Sequence, residues 1–471
     1  MKHHVQLSLP LLMALVLAGC TVGPDYSRPE VPISAAYKHE AGWRSLSSVE
    51  APPSGDWWAI YGDPELDRLM RTTAGSNLSV VQAEARYRQA LAQLRVSRAG
   101  ALPQVQGNAS AQRSGRENNG GSGAISSGSS DGTAYQVGAT ASWVPDLWGK
   151  VRRQMEADRA SIASSAADLE AMRLSMQSTV AQAYLRIRAT DLYLGLLELT
   201  REAYARSLEL TRNQYSAGLA ARADVIQSEV QLQSLLTQES DLLQQRLLNE
   251  NAIAVLLGRP PAGFAVARTD ALPPPPAIPA QMPAALLARR PDITAAERLV
   301  AAANANIGVA EGAWFPDLTL SAQGVLQEGR LIDLLSAPQF IWSVGPSLAA
   351  TLFDSGRRSA LVEQSRAQYD ERVAAYRQTF LTGMQEVEDA LATLQTLSEK
   401  AVQQQRLVEL AEENERVVTN RYRAGLVTFL EVSVAQNQTY TSRRTALEIR
   451  AEQLIASIQL VTALGGGWDA R

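Results

Sequence analysis

Cysteine and histidine are nearly absent from this chain. Its 471 residues hold one cysteine, Cys20, and three histidines, His3, His4 and His39. If the N-terminus is removed by processing, one of each remains, too few ligands for a zinc or iron–sulfur site. His39 would then be the sole imidazole available to activate a serine or cysteine nucleophile. The P-loop, the G-x-G-x-x-G fingerprint and H-E-x-x-H are all missing, and no carboxylate pair stands out from the helical background. The inventory argues against an enzyme and implies no metal or cofactor. A formal charge of −4 gives no case for a nucleic-acid partner, which would favour a basic face. After the N-terminus no apolar run reaches the roughly 20 residues of a membrane-spanning helix. What is present is enough apolar residue, 46%, to pack a folded structure. The length suits two or three ordinary domains or one large elongated one.

Residues 1–19 read as a secretory signal peptide: Lys2, then an apolar run of about 11 residues from Leu7 to Leu17, then Ala18 and Gly19 before Cys20. Small residues followed by cysteine form a lipobox, so Cys20 is expected to carry covalent lipid; an ordinary signal with an incidental cysteine is the alternative. Thr21, rather than an aspartate, favours the outer membrane. Residues 20–63 are then a lipidated arm, rich beyond residue 30 in Pro, Gly, Ser and Trp.

A helical pattern runs from Pro64 to Gly100 and stops at Pro103. Val105, Gly107, Ala109 and Ala111, then Tyr135, Val137, Ala139, Ala141 and Trp143, alternate with polar residues. Period two predicts a strand hairpin over about 104–144, across a Gly/Ser/Asn-rich loop at 114–133. A soluble sheet and a membrane hairpin both fit it. From about 150 to 214 one helix is predicted, with Leu169, Met172, Met176, Val180, Ala183 and Ile187 at coiled-coil spacing. It would span roughly 100 Å. Asn213-Gln-Tyr-Ser-Ala-Gly-Leu219 ends it as a hairpin tip, with Tyr215 and the turn residue Gly218. A return helix reaches Leu257, and Pro-rich residues 258–283 form a linker.

Residues 284–464 repeat this order. Ala296-Glu-Arg298 matches Ala83-Glu-Ala85 at an offset of 213; from Gly356 the offset is 207. The second strand hairpin is expected at about 317–352, the second long helix at about 357–421, and the second tip at Asn420-Arg-Tyr-Arg-Ala-Gly-Leu426, turning on Gly425. Residues 465–471 are a tail. Pro346 implies a bulge or an early strand end. Thr428-Phe-Leu-Glu431 reads as a capping box that the first tip, with Ala221 and Asp224, lacks. Four strands cannot close a barrel, and an open edge is forbidden in lipid, so a spanning structure needs several copies. Two would give a filled eight-stranded barrel; three give twelve strands and a pore.

The lipobox with Cys20-Thr-Val-Gly-Pro-Asp-Tyr-Ser-Arg-Pro29, the duplicated order, both N-x-Y-x-A-G-L tips and Ala463-Leu-Gly-Gly-Gly-Trp468 resemble the TolC-type outer-membrane efflux family, in its OprM/NodT-like lipoprotein branch. The resemblance implies a mainly α fold with a membrane β-barrel: a trimeric 12-stranded barrel continuous with a long periplasmic α-helical barrel. The arm, the linker and the C-terminus would form an equatorial belt. Expected partners are two further copies, a periplasmic adaptor, an inner-membrane pump of the resistance–nodulation–division type and outer-membrane lipid. The chain would be a passive exit duct for drugs or small toxic solutes in a Gram-negative outer membrane. By match to the family's motif, Asp224 and Tyr422 fall on positions that hold the periplasmic tip shut, and Glu431 on one of two acidic positions that ring the aperture. Replacing Asp224 or Tyr422 with alanine should then raise single-channel conductance. The second acidic position is Val434 here, and an arginine position is Val427. A type I protein-secretion conduit and a lipid-anchored coiled-coil structural protein are the rival readings.

Overall fold

The computed structural model of the chain describes residues 21–31, 56–114, 132–276, 290–336 and 338–466. Cys20, much of the N-terminal arm, the Gly/Ser/Asn-rich run, the end of the Pro-rich linker and Trp468 lie outside the described residues. In chain order the helices are α1 (Pro64–Ser76), α2 (Leu78–Gly100), α3 (Lys150–Ser216), α4 (Arg222–Leu256), α5 (Pro291–Gly312), α6 (Leu331–Ser336), α7 (Arg357–Arg423) and α8 (Phe429–Ala463). Short 3-10 turns cover Trp57–Tyr61 and Pro261–Gly263. The strands are β1 (Gln104–Ser114), β2 (Gly132–Trp143), β3 (Asp317–Glu328) and β4 (Gln339–Ala349). Helices α3 and α7 are each 67 residues long, and α4 and α8 each 35. Their ends match at the 207-residue offset, Lys150 with Arg357 and Leu256 with Ala463. At 1.5 Å per residue the longer pair reaches about 100 Å. None of the described helices is long and apolar enough to cross a membrane.

The chain divides into two compact units. One holds the sheet, four antiparallel strands in the order β1-β2-β3-β4. The register brings the apolar members of every strand into line: Val105 opposite Ala141, Ala109 opposite Val137, Val137 opposite Leu326, Trp143 opposite Leu320, Gly324 opposite Trp342 and Leu326 opposite Phe340. Successive strand residues face opposite ways, so these share one face. The other face carries Gln106, Gln136, Thr140, Gln323, Gln327 and Ser343, and Gln136 donates to Gln327 across it at 3.0 Å. On β4 the apolar face is bare within the chain, with Phe340, Trp342, Val344 and Leu348 each more than 60% exposed.

Pro346 does not interrupt β4. It pairs with Leu320 in an unbroken register, with no bulge, and the strand continues to Ala349. The expected early end fails because, within the chain, β4 is bonded to a neighbour on one side only. An N–H missing from the other side leaves the β3–β4 ladder intact.

In the same unit residues 21–29 are held against α3 and α5. The buried Arg153 guanidinium donates to the carbonyls of Val22 (3.1 Å) and Gly23 (3.0 Å) and pairs with Asp25 at 2.9 Å. Asn304 donates to the Pro24 carbonyl at 2.9 Å, and the Tyr26 hydroxyl donates to Glu297. A Cβ on Gly23, whose φ is +99°, would lie 2.3 Å from the Gly308 Cα, so the two backbones touch only because both lack side chains.

The second unit has a continuous apolar core in which Trp57, Tyr61, Leu66, Leu69 and Met70 pack with Val180, Ile187, Ile253, Val387, Leu391 and Leu454. The seam residues Leu169, Val180, Ala183 and Ile187 of α3 and Tyr376, Phe380, Val387, Leu391 and Leu394 of α7 are buried. The helix read from Pro64 to Gly100 is two helices. Asn77 breaks it: its side-chain oxygen accepts from the amides of Ser79 (2.9 Å) and Val80 (3.2 Å), an N-cap for α2. Its side-chain nitrogen donates to the Leu256 carbonyl at 2.7 Å. Arg290 occupies the matching place in the second repeat and donates to the Ala463 carbonyl at 2.9 Å. Two different side chains thus satisfy the same orphan carbonyl at the ends of α4 and α8.

Candidate functional site

The two tips are built alike in their backbone. In the first, Gly218 has φ +74°, its amide donates to the Tyr215 carbonyl at 3.0 Å, and the Leu219 amide donates to the Gln214 carbonyl at 2.8 Å. In the second, Gly425 has φ +73°, with Gly425 donating to Tyr422 (2.9 Å) and Leu426 to Arg421 (2.9 Å). This pair of bonds is the Schellman motif, and the left-handed glycine it requires explains the A-G-L of both sequences.

The side chains differ. Tyr422 is buried, stacked edge-to-face with Phe429 at 5.8 Å between centroids, and packed with Val432, Leu210, Val418 and Val427. Its hydroxyl donates to the Gln214 side-chain oxygen and lies 3.5 Å from the Thr211 hydroxyl. Tyr422 therefore ties α7, in the second hairpin, to α3, in the first. Its counterpart Tyr215 is 45% exposed, and the position matching Phe429 is Arg222. The aromatic lock exists in one copy only.

Asp224 does not meet Tyr422. Its carboxylate accepts from the Ala221 amide at 3.1 Å, the return bond of a capping box at the start of α4. The methyl group of Ala221 has no acceptor to supply the other bond. At the second tip the expected capping box is not formed: Thr428 is extended, with φ −82° and ψ 160°, and makes no side-chain cap bond. The Glu431 amide bonds instead to the Thr428 carbonyl at 3.2 Å, while its side chain stays exposed. Phe429, at the first position of α8, is buried and anchors that helix by packing. The assignment from sequence is thus reversed: the first tip has the side-chain cap and the second does not. Replacing Asp224 with alanine is expected to cost about 0.5–1 kcal/mol at the start of α4, read as faster amide exchange over residues 221–228.

Sequence reasoning missed Gln214, Thr211 and Phe429. Gln214 stands inside the N-x-Y motif and Phe429 inside the T-x-x-E motif, and the contrast of Phe429 with Arg222 was the available signal.

Comparison with known proteins places these features in one family. The model of the outer membrane efflux protein family matches residues 69–259 and 282–466. The antibiotic efflux pump outer membrane protein ArpC of Pseudomonas putida is 31% identical over 463 residues, covering 97% of this chain and 94% of that protein. Among solved structures, the outer-membrane channel OprN superposes with a TM-score of 0.86 at 29% identity, covering 95% of this chain and all of OprN. The open state of the Neisseria gonorrhoeae MtrE outer membrane channel gives 0.83 at 26% identity, over 95% of this chain and 98% of MtrE. With the repeat, the sheet and the tips all inside the matched residues, the chain belongs to the outer membrane efflux protein family.

Proposed function

We propose that three copies of this chain form a gated exit duct for antibiotics or similar small toxic solutes. The chain is the outer-membrane channel component of an efflux pump in a Gram-negative bacterium. The observation that carries the trimer is the sheet, with one face apolar in register across four strands, the other mostly polar, and neither β1 nor β4 paired on its outer edge among the described residues. Strands of 11 and 12 residues suit a tilted crossing of a bilayer, for which about 9–11 are needed. Unpaired edges cost several kcal/mol per group in lipid, so β1 of one copy pairs with β4 of the next. Three copies give twelve strands, with the apolar face to lipid and the polar face to a water-filled lumen.

The hairpin tips close the periplasmic end, with Tyr422 as the restraint and Glu431 as an exposed acidic group at the aperture. Conduction through the duct needs no bond chemistry from the chain. A periplasmic adaptor and an inner-membrane pump of the resistance–nodulation–division type supply the cargo and the energy, and lipid on Cys20 anchors the N-terminus. The purified protein is expected to run as a trimer in detergent and to conduct ions in planar bilayers; a monomer without conductance sinks this reading. Separately, Cys20→Ser is expected to abolish incorporation of labelled palmitate, and a labelled variant would sink the lipobox.

A further inference from the structure

Around the tips, charge and neutrality are sorted between two kinds of helix contact. Among the described residues, the ion pairs between helices over 201–243 and 404–443 stay inside one hairpin. Arg201 meets Glu239 at 3.5 Å and Arg212 meets Glu229 at 2.7 Å between α3 and α4. Arg443 meets Glu412 at 2.7 Å between α7 and α8. Among the same described residues, the side-chain hydrogen bonds that cross from one hairpin to the other join uncharged groups. Ser433 donates to Gln231 at 3.0 Å, Tyr440 to Gln238 at 2.9 Å and Tyr204 to Asn437 at 3.1 Å, beyond the Tyr422–Gln214 contact at the tip.

We propose that Gln231, Gln238 and Tyr204, with Ser433, Tyr440 and Asn437, are positioning residues of the gate: a neutral hydrogen-bond zipper holds the two hairpins together, while ion pairs brace each hairpin internally. Opening then separates braced bodies along the zipper, and the separation is insensitive to salt. The physical ground is the difference between the two bond types. Exposed ion pairs are screened as ionic strength rises, whereas hydrogen bonds between amides and hydroxyls carry no net charge to screen. Gln231 and Ser433 are buried, which removes competition from water. Burial also pushes the Tyr204 phenol up to about 12, so it remains a neutral donor.

This inference rests on the gate reading of the tips, and hydrogen exchange tests it without requiring conduction. The full-length protein in detergent is exchanged at about 0.01 M and about 1 M salt, between which the Debye length falls from about 30 Å to about 3 Å. Protection over 201–240 and 422–443 is expected to be the same at both. Gln231→Ala and Tyr440→Phe are each expected to speed exchange there about fivefold, the scale of one neutral hydrogen bond, at either salt. Tyr440→Phe removes only a hydroxyl and leaves the packing. Arg212→Ala is expected to loosen 208–230 without releasing 422–443. Salt-dependent release of both hairpins in the parent, or parent-like exchange in Tyr440→Phe and Gln231→Ala, would overturn the zipper. Faster exchange in these variants with parent conductance would count against the gate and support the zipper.

Discussion

Arg246→Met is expected to destabilise the protein by about 3–5 kcal/mol, the range for breaking a buried ion pair by removing one partner. The guanidinium of Arg246 donates to Asp191 at 2.7 Å, to Glu250 at 2.6 Å and to the Val266 carbonyl at 2.7 Å. The Glu250 carboxylate also accepts from the Val266 amide at 2.9 Å. The Asp191 side chain is fully buried and that of Glu250 is 6% exposed. Methionine has a similar length and no donor, so both carboxylates would lose their cation and the Val266 carbonyl its donor in a buried place, with Glu250 keeping only the Val266 amide. The segment around Val266 is what this cluster fastens to α3 and α4. The variant should therefore melt several degrees below the parent and be cut by protease near residues 258–276 first. Adding Asp191→Leu and Glu250→Gln to it removes the stranded charge and is expected to recover most of the loss. A variant that melts with the parent would mean that the cluster's desolvation cost already cancels its attraction.

That cluster was illegible in the sequence for a physical reason. Asp191, Arg246 and Glu250 are spread over two helices, and isolated charges on a helix read as a solvated face. The internal repeat gave no help, because at the 207-residue offset their counterparts are Ser398, Gln453 and Ser457. The long-range scaffold was legible because it rests on periodicity and on left-handed glycines: period two gave the four strands, the spacing of Leu169 to Ile187 gave α3, and A-G-L gave both turns. Features set by one side chain's tertiary partner were not. Asn77 breaks a helix where its side chain caps α2 and meets the Leu256 carbonyl, Pro346 leaves the bonds of β4 to β3 intact, and the T-x-x-E box is left open while Phe429 packs inward. The tip residues show both cases together. The motif located Tyr422 and Asp224, but Tyr422 bonds to Gln214 and Asp224 to its own helix start.

Phe429→Ala is expected to unlock the second tip more than any change to a hydrogen bond there. Phe429 is 1% exposed, and truncating a buried phenylalanine costs about 3–5 kcal/mol. Its edge-to-face contact with Tyr422 accounts for about 0.5–1.5 kcal/mol of pairing energy. Tyr422→Phe, by comparison, keeps the ring stack and loses the bond to Gln214, about 1 kcal/mol. Only the part of each cost borne in the closed state and relieved on opening shifts the gate, at tenfold in population per about 1.4 kcal/mol. If half of the Phe429 cost is of that kind, the open fraction rises by about tenfold or more, against about fivefold at most for Tyr422→Phe. The ordering Phe429→Ala, then Tyr422→Phe, then parent is therefore expected in single-channel conductance, and again in amide exchange over 418–432. Tyr215→Ala serves as the control. It alters the same motif in the first hairpin, where the tyrosine is exposed and the residue matching Phe429 is Arg222, and it should behave as the parent. Equal effects from Tyr215→Ala and Phe429→Ala would show that the tips act as equivalent turns, and that a lock confined to the second hairpin is wrong.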